Sequence, residues 1–511
     1  MNDAPSLESG SSPIDPDLYQ KAQRATRLTM LGQIAGQIIS LVVLAELYRM
    51  VDPGEFGLLG MFMPITLLVR SFGSLGMDIA TVQKRGLTSE QATSLFWYQV
   101  ITGVVLTVIL AAMAPLLAVF FGAERLLPLG IVMSGTALLY NSYSQHKSLA
   151  EKKMYFGRLT IVRLLSLVIS GVLAIIAAWN ELGVWALVIQ QYTELIVLNV
   201  GFWTIEPWRP GKMAPFSEVK SLLHFSGFYT LSGLFFSLGQ NFDKIMLGVL
   251  MGSNFHGHEW IGYYTQAYNQ MIRPVYLLTS PVTSAMLPAL SHASKHNDAF
   301  TRLTGGFYRM VGIMLAPCSV GMFLVGERLM MVLGGDEWME AGELLAVMGP
   351  MILAQSWINI SGTLMSAAGR TGMLAIGAFG NLVVLAAACG LAYWRVGSDP
   401  TDLTLELAFT VTLATVCLCG PYLAFCFHFA GLSLQRVFLP MLPAIGASLL
   451  MGGIVWLVEI GEDYLPQFMV LAQQIGVGVV AYVVFARSEV IWLWKQMRGG
   501  GIEEDGHTLV E

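Results

Sequence analysis

The sequence predicts an all-α, polytopic membrane protein of about 14 transmembrane helices, arranged as two six-helix lobes related by a parallel pseudo-two-fold axis plus two C-terminal helices. Three observations carry that expectation. The 511-residue chain is 55% hydrophobic and only 12% charged, about half the charge of an average soluble domain, so it lacks the polar side chains to cover a water-soluble surface. Uncharged windows long enough to cross a bilayer recur at 91–123, 371–394, 407–435, 437–458 and 464–486. Lysines and arginines fall on alternate sides of the spans with a strong bias. An ordinary soluble enzyme and a disordered chain are excluded. The net charge of −6 argues against nucleic acid as a partner.

The elements follow in order. Residues 1–27 are a polar tail holding Asp3, Glu8, Asp15 and Asp17, without the basic start and apolar run of a cleavable signal. The first lobe is expected at 28–205, with spans near 28–49, 57–81, 93–121, 126–146, 160–179 and 183–205. Residues 206–220 carry Pro207, Pro210 and Pro215 and read as the inter-lobe linker. The second lobe is expected at 221–429, with spans near 221–251, 261–290, 303–330, 341–367, 371–394 and 403–429. Two further spans, 437–459 and 465–487, lie outside the repeat. Residues 488–511 begin with Trp492, Trp494, Lys495 and Arg498, an interfacial helix for an anionic leaflet, and end in a tail.

With these spans, nineteen of the 28 basic residues fall on the side of both termini and four, Arg49, Arg125, Arg328 and Arg395, on the other. The richer side is expected to be cytoplasmic. The opposite loops hold acids instead, among them Asp52, Glu55, Glu259, Asp336 and Glu340. A weak repeat pairs Glu55-Phe56-Gly57 with Trp260-Ile261-Gly262, and Phe120-Phe121-Gly122 with Val332-Leu333-Gly334-Gly335; the alternative is that short glycine turns recur by chance at bilayer spacing. Six helices per unit is an even number, so both copies insert in one orientation. Such lobes enclose a cavity at their interface, which suits alternating access.

The remaining five basic residues, Arg70, Arg163, Lys244, Arg273 and Arg309, lie deep in spans, as do Asp243 and Glu194. Charges there are costly and face a cavity or a partner. Arg70 and Arg273 each follow their repeat glycine, Gly57 and Gly262, by three to four helical turns, which puts them at corresponding depths near mid-membrane. Two guanidiniums across a cavity suit a pyrophosphate, each binding oxygens in a fork. Alternatively, each pairs with an acid and only holds its lobe together. Pro64 and Pro274 beside them loosen both helices. Arg309 is a further cavity candidate, and Arg163, one turn inside the membrane edge, reads as snorkelling.

Asp243 and Lys244 point about 100° apart on a helix. Asp243 is either an ion-linked site, for H+ or Na+, or an internal neutralising group. Glu194, in Gln190-Gln191-Tyr192-Thr193-Glu194, lines the first lobe's cavity or bonds between helices. Tyr268, Gln270 and Tyr276 suit a glycan path, aromatic faces with polar neighbours, although an interfacial aromatic belt also explains the tyrosines of this span. Cys318, Cys389, Cys417, Cys419 and Cys426 read as small buried hydrophobes, and His256 and His258 as surface residues. No metal site, cofactor, nucleotide loop or catalytic constellation is expected.

Several ordered motifs resemble the polysaccharide transporter branch of the multidrug/oligosaccharidyl-lipid/polysaccharide exporter superfamily. They are Asp52-Pro53-Gly54-Glu55-Phe56-Gly57, Leu87-Thr88-Ser89-Glu90 with Leu95-Phe96-Trp97, Gly183-Val184-Trp185-Ala186-Leu187, Asn241-Phe242-Asp243-Lys244, Ile261-Gly262-Tyr263-Tyr264 and Leu287-Pro288-Ala289-Leu290-Ser291. The loop Gly252–Trp260 is longer than the family pattern. The resemblance implies an inner-membrane flippase that carries undecaprenyl-pyrophosphate-linked oligosaccharide to the outer leaflet. It further implies drive from an ion gradient, cations along the cavity, and glycan polymerase or export machinery as partners. A multidrug/cation antiporter is the first rival, and would favour an acidic cavity. A membrane-embedded glycan polymerase or ligase is the second, and would need large outer loops.

Overall fold

The computed structural model describes residues 16–73, 77–84, 86–215, 237–251, 255–293, 297–397, 399–459 and 466–499. The chain is a polytopic all-helical membrane protein, with no strand among the described residues. In chain order the first lobe holds α1 (Pro16–Met50), α2 (Pro53–Gly73), α3 (Met77–Gln83), α4 (Ser89–Phe120), α5 (Leu126–Lys152), α6 (Phe156–Trp179) and α7 (Val184–Ile205). Residues 237–251 form α8. Then follow α9 (Phe255–Ala293), α10 (Asn297–Gly334), α11 (Met339–Met348), α12 (Met351–Ala367), α13 (Thr371–Val396) and α14 (Pro400–Ala430). The end of the chain holds α15 (Leu434–Phe438), α16 (Leu442–Glu459), α17 (Gln467–Phe485) and α18 (Arg487–Gly499).

Local chemistry sets these boundaries. Thr88 and Gln91 close a reciprocal capping box at the start of α4. Asp399 accepts hydrogen bonds from the Thr401 and Asp402 amides and Pro400 follows it, so α14 starts sharply. α11 and α12 meet at Gly349-Pro350 with a bend of 57°. The residues after 254 do not form a loop. They extend α9 outward by two turns from its expected start.

Nine helices among the described residues are each long and apolar enough to span a membrane, or ten with the bent pair. Others expected to span are helical but polar on one face. α5, for example, buries Asn141, Gln145 and His146 inside its lobe. The surface has the opposite character: Val108 and Leu165 are exposed, and Val119 is 82% exposed. Such a surface is stable only against lipid, where interior polar side chains become the adhesive between helices. Cys389, Cys419 and Cys426 are buried as expected, whereas Cys417 is exposed on the apolar face of α14 and Cys318 is half-buried.

In the first lobe α4 packs on α5, α6 on α7 and α1 on α6; in the second α10 packs on α11, α13 on α14 and α12 on α9. α16 and α17 lie against α10. The lobes join chiefly where α2 crosses α9 and α1 meets α10. The crossing is at Gly57 and Gly262, where any Cβ would strike the other helix's backbone. Asp52, Glu259, Glu337 and Glu340 surround Tyr263 at this end of the molecule, hereafter the acidic end. The opposite, basic end carries Lys147, Lys152, Lys153 and Arg158.

Candidate functional site

The lobe interface is sealed at the acidic end and hollow below it. Tyr48 of α1 stacks on Trp338, with ring centroids 4.1 Å apart, and Phe56 of α2 packs edge-on against both. The Trp338 indole donates to the Tyr48 carbonyl oxygen over 2.8 Å. The Tyr48 hydroxyl donates to Gln266 Oε1 over 3.0 Å and accepts from Gln270 Nε2 over 3.0 Å. Arg49 adds a bond to the Val332 carbonyl oxygen, again between lobes. Gln270, expected on a glycan path, therefore belongs to the seal.

One turn toward the basic end, Arg273 lies beside Tyr48. Its Nη1 is buried and has no hydrogen-bond partner among the described residues. A bare guanidinium nitrogen at this depth costs several kcal/mol unless something pairs with it. Continuing down the same face of α9, Tyr276, Leu277 and Ser280 enter a cleft of about 380 Å³. Its other walls are α1, through Gly32, Gln33, Gly36, Gln37 and Ser40, and α6, through Thr160 and Arg163. A neighbouring cleft of about 300 Å³ lies between Met63 and Pro64 of α2, Asn241 and Lys244 of α8, and Asn269 and Tyr276 of α9. Tyr276, 51% exposed, forms the rim of both. No aspartate or glutamate lines either cleft among the described residues.

Lys244 and Asp243 do meet, although neighbours on a helix diverge. The four-carbon stem of Lys244 curls back until its ammonium is 3.5 Å from Asp243 Oδ1. The ammonium also donates to the Gln240 carbonyl oxygen over 3.0 Å and sits 3.3 Å above the Tyr268 ring. Tyr264 donates to Asp243 Oδ2 over 2.7 Å, and Tyr268 to Gln240 Oε1 over 2.7 Å. This is a fully bonded buried pair, with Tyr268 as its floor. Beside it, Gln240, Asp243, Gln355 and Asn381 bound a space of about 10 Å³, the size of one water.

Arg309 lies elsewhere. Its guanidinium forks onto Glu489 of α18, at 2.8 and 2.9 Å, and stacks 4.3 Å from the Trp492 ring. Glu194 lines a third cleft of about 360 Å³ inside the first lobe, with Tyr143, Lys147 and Arg163. The side chains of Arg70 and His256 lie outside the described residues, while the His258 carbonyl oxygen abuts Gly57. The structure thus brings Arg273 and Tyr276 to one interface and sets Arg309 apart. Arg163, read from sequence as a snorkelling residue, stands in the walls of two clefts. The signal for it was the stripe of small and polar residues opposite, Gly32, Gln33, Gly36, Gln37 and Ser40, which repeats at helical spacing through the otherwise apolar stretch 31–45 of α1.

Comparison with known proteins places these features in context. A family model described as polysaccharide biosynthesis protein matches residues 46–343. The chain is 23% identical over 472 residues to the teichuronic acid biosynthesis protein TuaB of Bacillus subtilis, covering 92% of this chain and 95% of that one. It is 23% identical over 341 residues to the lipopolysaccharide biosynthesis protein WzxC of Escherichia coli, covering 65% and 67%. The fold matches that of the lipid II flippase MurJ in an inward closed conformation, with TM-score 0.70 and 14% identity, over 92% of this chain and 100% of MurJ. It also matches a multidrug resistance MATE family transporter of the MOP superfamily in an inward-facing conformation, with TM-score 0.60 and 13% identity, over 78% and 95%.

Proposed function

Because this chain belongs to the polysaccharide biosynthesis protein family, we propose that it flips lipid-linked oligosaccharides across the bacterial cytoplasmic membrane by alternating access. The substrate is a polyprenyl, in bacteria undecaprenyl, pyrophosphate bearing a glycan unit. The lobes are 28–205 and 221–429, joined by 206–220, with both termini in the cytoplasm and the acidic end outside. The seal of Tyr48, Trp338, Gln266 and Gln270 then closes the outward path, and the clefts lie on the cytoplasmic half.

The observation that carries this reading is Arg273, half-buried beneath the seal with a buried Nη1 that has no hydrogen-bond partner among the described residues. Leaving water costs a pyrophosphate its hydration shell, and a guanidinium with one nitrogen already bare replaces part of that shell with a two-pronged contact. The lipid tail meanwhile stays in the bilayer. Arg70 is the proposed counterpart from α2. Tyr276, at the rim of both clefts, is the proposed stacking surface for the first sugar. Asp243 is the proposed ion-linked group, with its carboxylate shared between Lys244 and Tyr264. The antiporter reading fits less well, since among the described residues the inter-lobe clefts carry no acid to neutralise a cationic drug.

The test is Arg273→Ala in a strain lacking the native protein, with lipid-linked intermediates on each face of the inner membrane quantified. Retention of the intermediate on the cytoplasmic face is expected. Unimpaired export ends the assignment of Arg273, and drug efflux without any glycan phenotype selects the antiporter.

A further inference from the structure

The first lobe contains a cleft that the flippase reading has not used. It measures about 360 Å³ and is walled by α1 (Thr29), α5 (Tyr143, Lys147, Glu151), α6 (Phe156, Leu159, Thr160, Arg163) and α7 (Glu194). Three of these residues, Thr29, Thr160 and Arg163, also wall the 380 Å³ inter-lobe cleft. The two spaces therefore share a partition, and Arg163, which has no ion-pair partner among the described residues, stands in it.

The two sides of the partition differ in chemistry. Among the described residues the inter-lobe cleft has one charged group in its lining, Arg163, with Arg273 one turn above. That side is basic. Among the described residues the first-lobe cleft balances two cations, Lys147 and Arg163, with two carboxylates, Glu151 and Glu194. Lys147 and Glu151 already lie 3.5 Å apart one turn from each other. A site without net charge offers little to a dianion. It offers much to a polyol, because carboxylates accept from paired hydroxyls, Lys and Arg donate to them, and Tyr143 and Phe156 supply apolar surface for a sugar face. Size argues the same way. Each cleft is at the small end of ligand pockets, about 300–1,000 Å³, so a pyrophosphate with its first sugar fills the inter-lobe cleft and further sugars need a second space.

We propose that the first-lobe cleft is the glycan subsite: the pyrophosphate stays between the lobes under Arg273, and the oligosaccharide turns past Arg163 into the space between α1, α5, α6 and α7. This rests on the flippase reading and adds where the sugars go. Discrimination between glycans then resides in α5, α6 and α7, while the pyrophosphate contact is common to all substrates.

The experiment measures binding of two probes to the purified full chain in lipid nanodiscs. One is undecaprenyl pyrophosphate without sugar; the other is the lipid-linked oligosaccharide extracted from the producing cells. Leu159→Trp fills the cleft, and Glu194→Gln removes a hydroxyl acceptor at almost no change in volume. Leu159→Trp is expected to weaken the glycan-bearing probe by about tenfold or more, and Glu194→Gln by about threefold, with the sugar-free probe within about twofold of the parent in both. Equal loss of both probes, or loss of neither, overturns the glycan subsite. Should Leu159→Trp fail to fold, Glu194→Gln alone decides in the same terms. If the parent protein binds the sugar-free pyrophosphate no better than phosphatidylglycerol, the flippase reading itself fails, a result separate from failure of the subsite.

Discussion

Gly57 and Gly262 cross with their backbones in contact, and the contact is reciprocal. A Cβ on Gly57 would lie 1.8 Å from the His258 carbonyl oxygen and 3.1 Å from the Gly262 nitrogen. A Cβ on Gly262 would lie 2.1 Å from the Pro53 carbonyl oxygen and 3.1 Å from the Gly57 nitrogen. Each glycine closes a three-residue segment of its half of the chain, Glu55-Phe56-Gly57 and Trp260-Ile261-Gly262, so the crossing joins the two points that the weak repeat pairs. Gly57→Val or Gly262→Val is expected to hold the acidic ends apart. Spin labels on α2 and α9 outside the membrane should then report a longer distance, with export lost. An unchanged distance would mean that the crossing does not govern closure.

Removing one hydroxyl should weaken the seal without disturbing its packing. In Tyr48→Phe the ring remains against Trp338, but the bonds to Gln266 and Gln270 go, a loss of about 1–2 kcal/mol. That raises the open fraction roughly 5–30-fold. With the native cysteines replaced and Asn269→Cys as reporter, a membrane-impermeant thiol reagent applied outside should label faster in the Tyr48→Phe background. Equal labelling rates count against a seal built on this hydroxyl.

The charge on Lys244 should matter more than its contacts. Both members of the Asp243–Lys244 pair are almost wholly buried. Lys244→Met leaves a buried carboxylate without its cation and is expected to cost about 3 kcal/mol or more of stability in detergent. Adding Asp243→Asn should recover most of that loss. A double variant no more stable than Lys244→Met points to packing instead.

Arg309 and Glu489 are 180 residues apart in sequence and tie α18 to α10. Glu489 is buried, so Arg309→Ala strands its carboxylate and should cost about 2–4 kcal/mol. Glu489→Gln in addition should relieve part of it. Protease cleavage after Arg487 or Lys495 gives an independent reading, because an undocked α18 is cut sooner. Protection unaltered in Arg309→Ala sinks the docking role.

Arg273→Lys separates charge from geometry. It keeps the cation but loses the planar fork, so partial export, on the order of a tenth of the parent rate, is expected where Arg273→Ala shows none. Full activity in the lysine variant reduces the requirement to charge alone.

Most of the architecture was legible in the sequence because a bilayer imposes a length and a polarity on every span. The helix ends at Thr88 and Asp399 follow from their own side chains. The glycine motif was also readable, although the crossing it makes was not. What stayed hidden depends on contacts between distant segments. Nothing near Arg309 in the chain announces Glu489, and only tertiary packing turns that arginine away from a cavity. Arg163 is the converse case: its depth alone suggested an escape toward water, and the polar stripe of α1 opposite it assigns it to a wall. Lys244 shows a third limit, because helical angle predicts where a Cβ points and not where a long side chain ends.

The position of the glycine crossing gives the lobes mechanical leverage. The crossing lies near one tip of α9, a helix of 39 residues. Ser280 is eighteen residues from that fulcrum, roughly 27 Å along the axis. A tilt of only about 15° at the glycines sweeps Ser280 through about 7 Å, more than the gap between neighbouring side chains. Modest rocking at the tight tip is thereby amplified at the loose one, and cargo of variable bulk can be admitted with no helix unfolding.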